Sequence, residues 1–334
     1  LWTAVLECLP STIRPILEPL SHEYANKAEE IRIRINRPLE VAYQGGFTFV
    51  TPLGHPTNDA SMAFCPTKED GLRLLDRIAK HSLYTMEEEL RRGYITIGGG
   101  HRIGLAGRVV LENGNVRSIK NITGFNVRIA REVHGTAEQF AHFLRDSKTS
   151  LFYHTLIISP PQRGKTTFLR DLARHISSNK NTTQPNGQKK RHAFKVGIVD
   201  ERSEIAACIE GIPSFDVGSR TDVLDGCPKA EGMMMMIRSL SPEIIIVDEI
   251  GRVEDTSAIM EAIHAGITVI ASVHGRDLSD VQKRPSLAPL FGERVFGRFV
   301  ILSSKGSVGQ ISEICKADGS PIYVSAMAKQ LERS

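Results

Sequence analysis

Beyond residue 150 the chain alternates short, β-branched apolar runs with stretches of helical period. The runs fall at 155–158, 196–200, 244–248, 267–272 and 298–302. After the first of them, Phe168, Leu169, Leu172 and Ile176 recur at helical spacing; residues 232–237, Gly-Met-Met-Met-Met-Ile, and 258–264 continue that pattern further on. Strands that are apolar almost throughout, linked by helices, predict a mostly parallel sheet with helices on both faces.

The first 148 residues are patterned differently. Residues 30–35, Glu-Ile-Arg-Ile-Arg-Ile, alternate apolar with charged side chains at period two, which predicts a strand with one wet face. Strands are also expected at 39–43, 47–50 and 126–131, and a hairpin over 93–107 turns on Gly98, Gly99 and Gly100. Helices are expected from Ser11 through Leu20, after the capping box of Thr67 and Asp70, from the box at Thr85, and from Thr136 through Leu144. The outcome is an α+β domain over 1–148 and an α/β domain over 149–334. The polar stretch 177–192, rich in helix and strand breakers, is expected to be a mobile surface loop.

The strand at 155–158 runs directly into Ser159-Pro160-Pro161-Gln162-Arg163-Gly164-Lys165-Thr166-Thr167, and then into a helix. That order is what a triphosphate needs, because a tight turn aims backbone N–H groups at the phosphates and the helix adds its positive end. Lys165 is the candidate for the β- and γ-phosphates, and Thr166 for Mg²⁺. The opening glycine of G-x-x-x-x-G-K-[ST] is replaced by Ser159, with two prolines fixing the turn. Some eighty residues on, Glu243-Ile-Ile-Ile-Val-Asp-Glu249 reads as a Walker B strand. Asp248 is placed to hold Mg²⁺ through water, and Glu249 to polarise the attacking water. The intervening strand at 196–200 puts the domain with the RecA-like P-loop NTPases that carry a catalytic glutamate, not with nucleotide kinases.

Three further groups belong at the same sheet edge, since carboxyl ends of parallel strands line the ligand crevice. Asp200-Glu201-Arg202-Ser203-Glu204 ends one strand, with Glu201 or Glu204 as candidates to orient water. Ser272 and His274 end another, where a polar side chain senses the γ-phosphate. Arg128 and Arg131 lie near the seam between domains, as candidates to face a nucleotide or as a solvated strand face.

Composition narrows the remaining classes. In 334 residues, 41% hydrophobic, no run approaches the ~18–20 apolar residues of a membrane span, and the opening residues lack a secretory pattern. A soluble, cytoplasmic protein is expected. Its five scattered cysteines form no C-x-x-C pair and are expected to be reduced thiols. A net charge of +4 is mild and gives no reason to expect a nucleic-acid partner.

Taken together, residues 30–35, 93–107, 157–167, 199–205 (Val-Asp-Glu-Arg-Ser-Glu-Ile) and 247–251 (Val-Asp-Glu-Ile-Gly) resemble the stage III sporulation AA family, over roughly 28–310. That family includes the Ser-Pro-Pro form of the loop and is similar to the ATPases of type II and type IV secretion systems. The resemblance implies a homohexamer that hydrolyses ATP with Mg²⁺ in the mother cell, at the base of the mother cell–forespore channel. There it would dock on an integral membrane partner. It also implies that 200–204 is the acidic box and 271–275 the histidine box, and it favours Arg128 and Arg131 as nucleotide-facing arginines. The division of labour between Glu201 and Glu204 stays open. A nucleic-acid-stimulated translocase and a nucleotide-dependent scaffold share the same core motifs and stand as alternatives.

Overall fold

The computed structural model describes residues 2–20, 24, 27–43, 45–79, 93–112, 114–130, 134–178, 181–183, 189–191, 193–304 and 309–326. The chain divides into two compact units, Leu1–Arg131 and Glu132–Ser334. The division falls earlier in the chain than the expected seam near 148. Ala137, Ala141 and Leu144 explain this, since they are buried in the core of the second unit.

In the first unit, a seven-stranded antiparallel sheet runs in the order β4-β3-β2-β1-β7-β6-β5 among the described residues. Its strands are β1 (Ala28–Arg34), β2 (Glu40–Tyr43), β3 (Gly46–Val50), β4 (Pro56–Thr57), β5 (Tyr94–Ile97), β6 (His101–Glu112) and β7 (Asn115–Arg128). Ile31 and Ile33 of β1 are fully buried, with Leu74 of α3 (Lys68–Ala79) and Val5 and Leu6 of α1 (Trp2–Cys8) in the same core. Arg32 and Arg34 turn to the opposite, wet face and pair with Glu30 and Glu40. The Thr67/Asp70 box is formed as expected: the Asp70 N–H donates to Thr67 Oγ1 at 3.2 Å and the Thr67 N–H to Asp70 Oδ2 at 2.7 Å. The helix expected from Ser11 is instead a four-residue α2 (Arg14–Leu17) and a 3-10 turn (Glu18–Leu20), because Pro15 and Pro19 bring no N–H to the ladder. The helix expected from Thr85 lies outside the described residues.

The second unit is built on an eight-stranded sheet in the order β12-β11-β13-β14-β8-β15-β16-β17. Six neighbours run parallel: β12 (Thr221–Asp225), β11 (Val196–Asp200), β13 (Ile244–Val247), β14 (Thr268–His274), β8 (Thr155–Ser159) and β15 (Arg298–Leu302). β16 (Ile311–Lys316) and β17 (Pro321–Val324) add an antiparallel edge. Successive strand residues feed two separate cores, as period two requires. Ile157, Ile198, Ile246, Ile270 and Val300 meet Phe168, Leu169 and Leu172 of α4 (Lys165–Ser177) on one face. Leu156, Ile158, Val199, Ile245 and Val247 meet α5 (Lys229–Ser239) and α6 (Val253–His264) on the other. Met233 and Met236 of the methionine run are fully buried there, which makes α5 a core helix. It lies so close to β11 that a Cβ on Gly197 would come 2.2 Å from Met236 Sδ. Within 177–192, the described residues contain two short paired strands, β9 (Asn181–Thr183) and β10 (Lys189–Arg191).

Candidate nucleotide site

Parallel pairing brings the carboxyl ends of β8, β11, β13 and β14 to one edge. His274 is level with Ser159, and Val247 with both Val199 and Ala271. Four sequence-distant segments therefore converge: 159–167, 200–204, 248–249 and 272–274.

The loop after β8 turns on two left-handed residues, Gln162 at φ 59° and Gly164 at φ 89°. Gly164 leads directly into α4. Only glycine holds that conformation without strain, so the turn that presents backbone N–H groups depends on it. Arg163 ties the loop to its surroundings, donating Nε to the Ser303 carbonyl at 2.9 Å while its own carbonyl accepts the Gly309 N–H at 2.9 Å. Ser159 is fully buried, and its hydroxyl donates to the Pro160 carbonyl; the residue in the place of the first glycine serves the turn itself.

Thr166 Oγ1 donates to Asp248 Oδ2 at 2.8 Å, and Lys165 Nζ lies 3.3 Å from Glu249 Oε1. The two sequence motifs, more than eighty residues apart, thus form one cluster. Ser272 joins them, donating its hydroxyl to Asp248 Oδ1 and accepting the Glu249 N–H at 3.0 Å. Glu249 itself stands at φ 54°, a conformation a non-glycine residue keeps only where its surroundings hold it. His274 Nε2 reaches Glu249 Oε1 at 2.7 Å and Arg202 reaches Oε2 at 2.9 Å. Burial pushes the Glu249 carboxyl up, but the charges of Lys165, His274 and Arg202 outweigh it and hold the group below the usual carboxylate range.

The acidic segment divides its labour unlike any single reading of it. Asp200 is buried and structural: its oxygens accept the N–H groups of Glu204, Ile205 and Ala206 at 2.8, 2.8 and 2.9 Å. Burial pushes its pKa up against those donors. Arg170 of α4 secures the same turn, donating to the carbonyls of Ile205 and Glu204. Glu201, expected to assist catalysis, is paired with Lys229 of α5. Glu204, not Glu201, brings a carboxylate oxygen within 4.8 Å of oxygens of Asp248 and Glu249. With the Thr166 hydroxyl on Asp248, that set of hard oxygens suits Mg²⁺, which takes one or two protein oxygens and completes its shell with water and phosphate.

Arg128 lies on the wet face of the first unit, exposed, with its Nε 3.3 Å from Glu30 Oε1. Arg131 lies outside the described residues. Lys229, Arg170 and the bridging role of Ser272 were missed in the sequence. Their partners lie about 23 to 35 residues away, and no local spacing points to them.

A mostly parallel sheet with helices on both faces, a lysine-bearing turn after β8 and an acid-tipped β13 separated from it by β14 define a RecA-like domain of the secretion-ATPase fold. Solved structures with that fold include the ATPase DotB of Legionella pneumophila (TM-score 0.56, 14% identity, 97% of this chain and 84% of that one). The pilus retraction motor PilT, solved with bound ADP, is similar at TM-score 0.53 and 13% identity over 95% of this chain and 86% of that one. The chain belongs to the sporulation stage III, protein AA family, whose model matches residues 3–322. It is 49% identical to stage III sporulation protein AA of Bacillus subtilis (strain 168) over 94% of this chain and 95% of that protein. No helix among the described residues is long and apolar enough to cross a membrane.

Proposed function

We propose that the chain is an ATP hydrolase whose turnover powers or assembles the channel between mother cell and forespore. The observation that carries this is the joining of Thr166 to Asp248 and of Lys165 to Glu249 at one sheet edge. The pilus motor that shares this fold was solved with bound ADP, which supports a nucleotide as ligand. In this reading, the 162–166 turn binds the phosphates and Lys165 meets the β- and γ-phosphates. Thr166 and Asp248 hold Mg²⁺, which would neutralise phosphate charge when bound. Glu249, ionised, takes the proton side of the attacking water, while His274 and Ser272 fix its position. Glu204 is better placed than Glu201 to assist. The family resemblance supports a cytoplasmic homohexamer docked on an integral membrane protein, and it supports arginines such as Arg128 and Arg131 facing the nucleotide.

Steady-state hydrolysis tests the reading. Wild type is expected to hydrolyse Mg-ATP with a rate per chain that rises with concentration, whereas Glu249→Gln binds ATP without turning it over. Undiminished hydrolysis by Glu249→Gln refutes the role of Glu249; hydrolysis that needs DNA or RNA points to a translocase.

A further inference from the structure

The lysine-bearing turn stands between two unlike flanks, because β8 lies inside the sheet order β13-β14-β8-β15-β16-β17. On the β14 and β13 side are the acids, and the cavity among Asp200, Glu204, Asp248 and Glu249 measures about 10 Å³, space on the scale of one water. On the β15 and β16 side a second cavity, of about 480 Å³, opens within the second unit. It has Thr136, Gln139 and Phe140 on one wall and Gly309, Ile311 and Tyr323 on the other. That volume is in the range of sites that take a small organic ligand.

Both walls are bonded to the elements that carry Lys165. The Gly309 N–H donates to the Arg163 carbonyl in the turn at 2.9 Å, and the Gly135 and Ala137 N–H groups on either side of Thr136 donate to Asp171 of α4 at 3.0 and 2.7 Å. The walls approach each other closely at one point, where a Cβ on Gly309 would come 3.2 Å from Thr136 Cγ2. Phe140, in the 3-10 helix Glu138–Leu144, and Tyr323 of β17 are half-buried and pack edge to face with ring centroids 5.1 Å apart. Phe143 backs Tyr323 at 5.7 Å, so the aromatic part of the lining is held in place. A planar base packs well on aromatic surface. The Gln139 amide, whose Nε2 lies 3.5 Å from the Thr136 carbonyl, carries donors and an acceptor for a base edge.

A nucleoside triphosphate is an extended molecule. With its terminal phosphate at Asp248 and Glu249, its base leaves the turn on the opposite flank, where the larger cavity lies. We propose that the cavity lined by Phe140, Tyr323 and Gln139 receives the purine base of the nucleotide. This inference rests on the Mg-ATP reading above and adds to it where the base is held, and hence how a nucleotide is told from a bare polyphosphate.

The test is calorimetric binding of a non-hydrolysable ATP analogue and of tripolyphosphate, each with Mg²⁺, to the full chain. Wild type, Tyr323→Leu and Lys165→Ala are compared, each checked for an unchanged melting curve. Photolabelling of wild type with 8-azido-ATP adds a measurement that needs no variant. Wild type is expected to bind the analogue at least about tenfold more tightly than tripolyphosphate. Tyr323→Leu should weaken the analogue by about tenfold while tripolyphosphate changes by less than about twofold. The label that excess ATP displaces should fall within 134–140, 309–311 or on Tyr323. Equal affinity of wild type for the two ligands, equal weakening of both by Tyr323→Leu, or displaceable label confined to other parts of the chain would overturn the proposal. Lys165→Ala separates the two levels. Full binding of both ligands by Lys165→Ala contradicts the site reading itself, whereas their loss there with undiminished analogue binding by Tyr323→Leu contradicts only the base cavity.

Discussion

Ser272→Ala removes a single oxygen from the hinge of the site. The hydroxyl is fully buried, donates to Asp248 Oδ1 and accepts the Glu249 N–H at 3.0 Å. Alanine leaves no cavity beyond one oxygen, so the effect is polar. A hydrogen bond to a carboxylate contributes roughly 1.5–3 kcal/mol, and a stranded buried N–H costs roughly 1–3 kcal/mol. The two overlap because Asp248 keeps the Thr166 hydroxyl, and the expected loss of stability is about 2–3 kcal/mol. The effect on turnover is separate. Glu249 is held at φ 54° in part by the bond that Ser272 accepts. Without it the carboxylate shifts, and a displacement of about 1 Å costs on the order of a hundredfold in rate. Urea denaturation reads the first effect; steady-state hydrolysis across a Mg²⁺ titration reads the second. The expectation is a kcat roughly 30- to 100-fold lower, with a higher half-saturating Mg²⁺ and nucleotide affinity within about threefold of wild type. A variant as stable and as fast as wild type would refute the bridge.

Two further expectations concern the frame around the site. Arg170→Gln loses donors to the Glu204 and Ile205 carbonyls and the stacking of its guanidinium 3.8 Å from the Phe215 ring centroid, so it is expected to cost about 2–3 kcal/mol. Hydrogen exchange should rise at 204–206 before any other part of the second unit; protection there equal to wild type argues against the clamp. Asp171 accepts the Gly135 and Ala137 N–H groups and the Arg174 guanidinium. Burial pushes its pKa up, but Arg174 and the backbone donors outweigh that, and the folded carboxyl titrates below its ordinary range. Its contribution is therefore complete above about pH 4 and is lost as pH falls through the lower folded value. Asp171→Asn should cost about 3–5 kcal/mol at pH 7 and progressively less below pH 4. A deficit that does not shrink in acid contradicts the assignment.

The central strands were legible because burial on both faces leaves an uninterrupted apolar run. Val196–Asp200 and Arg298–Leu302 have the bounds their sequence suggests. β12 was not legible: Thr221–Asp225 is an edge strand, half-buried and polar at both ends, with no run to read. The segment after Thr136 reads as an α-helix by its apolar spacing, yet Glu138–Leu144 is a 3-10 helix, its entry pinned by Asp171 from α4. At the site, the meeting of Lys165 and Thr166 with Asp248 and Glu249 was readable, because each motif is written in local order along the chain. The differing partners of Asp200, Glu201 and Glu204 were not, since a strand-terminal acid looks the same whether it faces a ligand or caps a turn. What separates them is Lys229 on Glu201 and three backbone N–H groups on Asp200, partners that only the folded chain supplies.

The account rests on one Mg-triphosphate site shared by the Lys165 turn and the Asp248–Glu249 strand end. A crystal structure of the chain with Mg²⁺ and a non-hydrolysable ATP analogue tests that most directly. It should show the phosphates on the 162–166 turn, the ion at the Thr166 hydroxyl beside Asp248, and Lys165 moved from Glu249 to the β- and γ-phosphates. Phosphates bound elsewhere, or Lys165 still paired with Glu249 in the filled site, would contradict it.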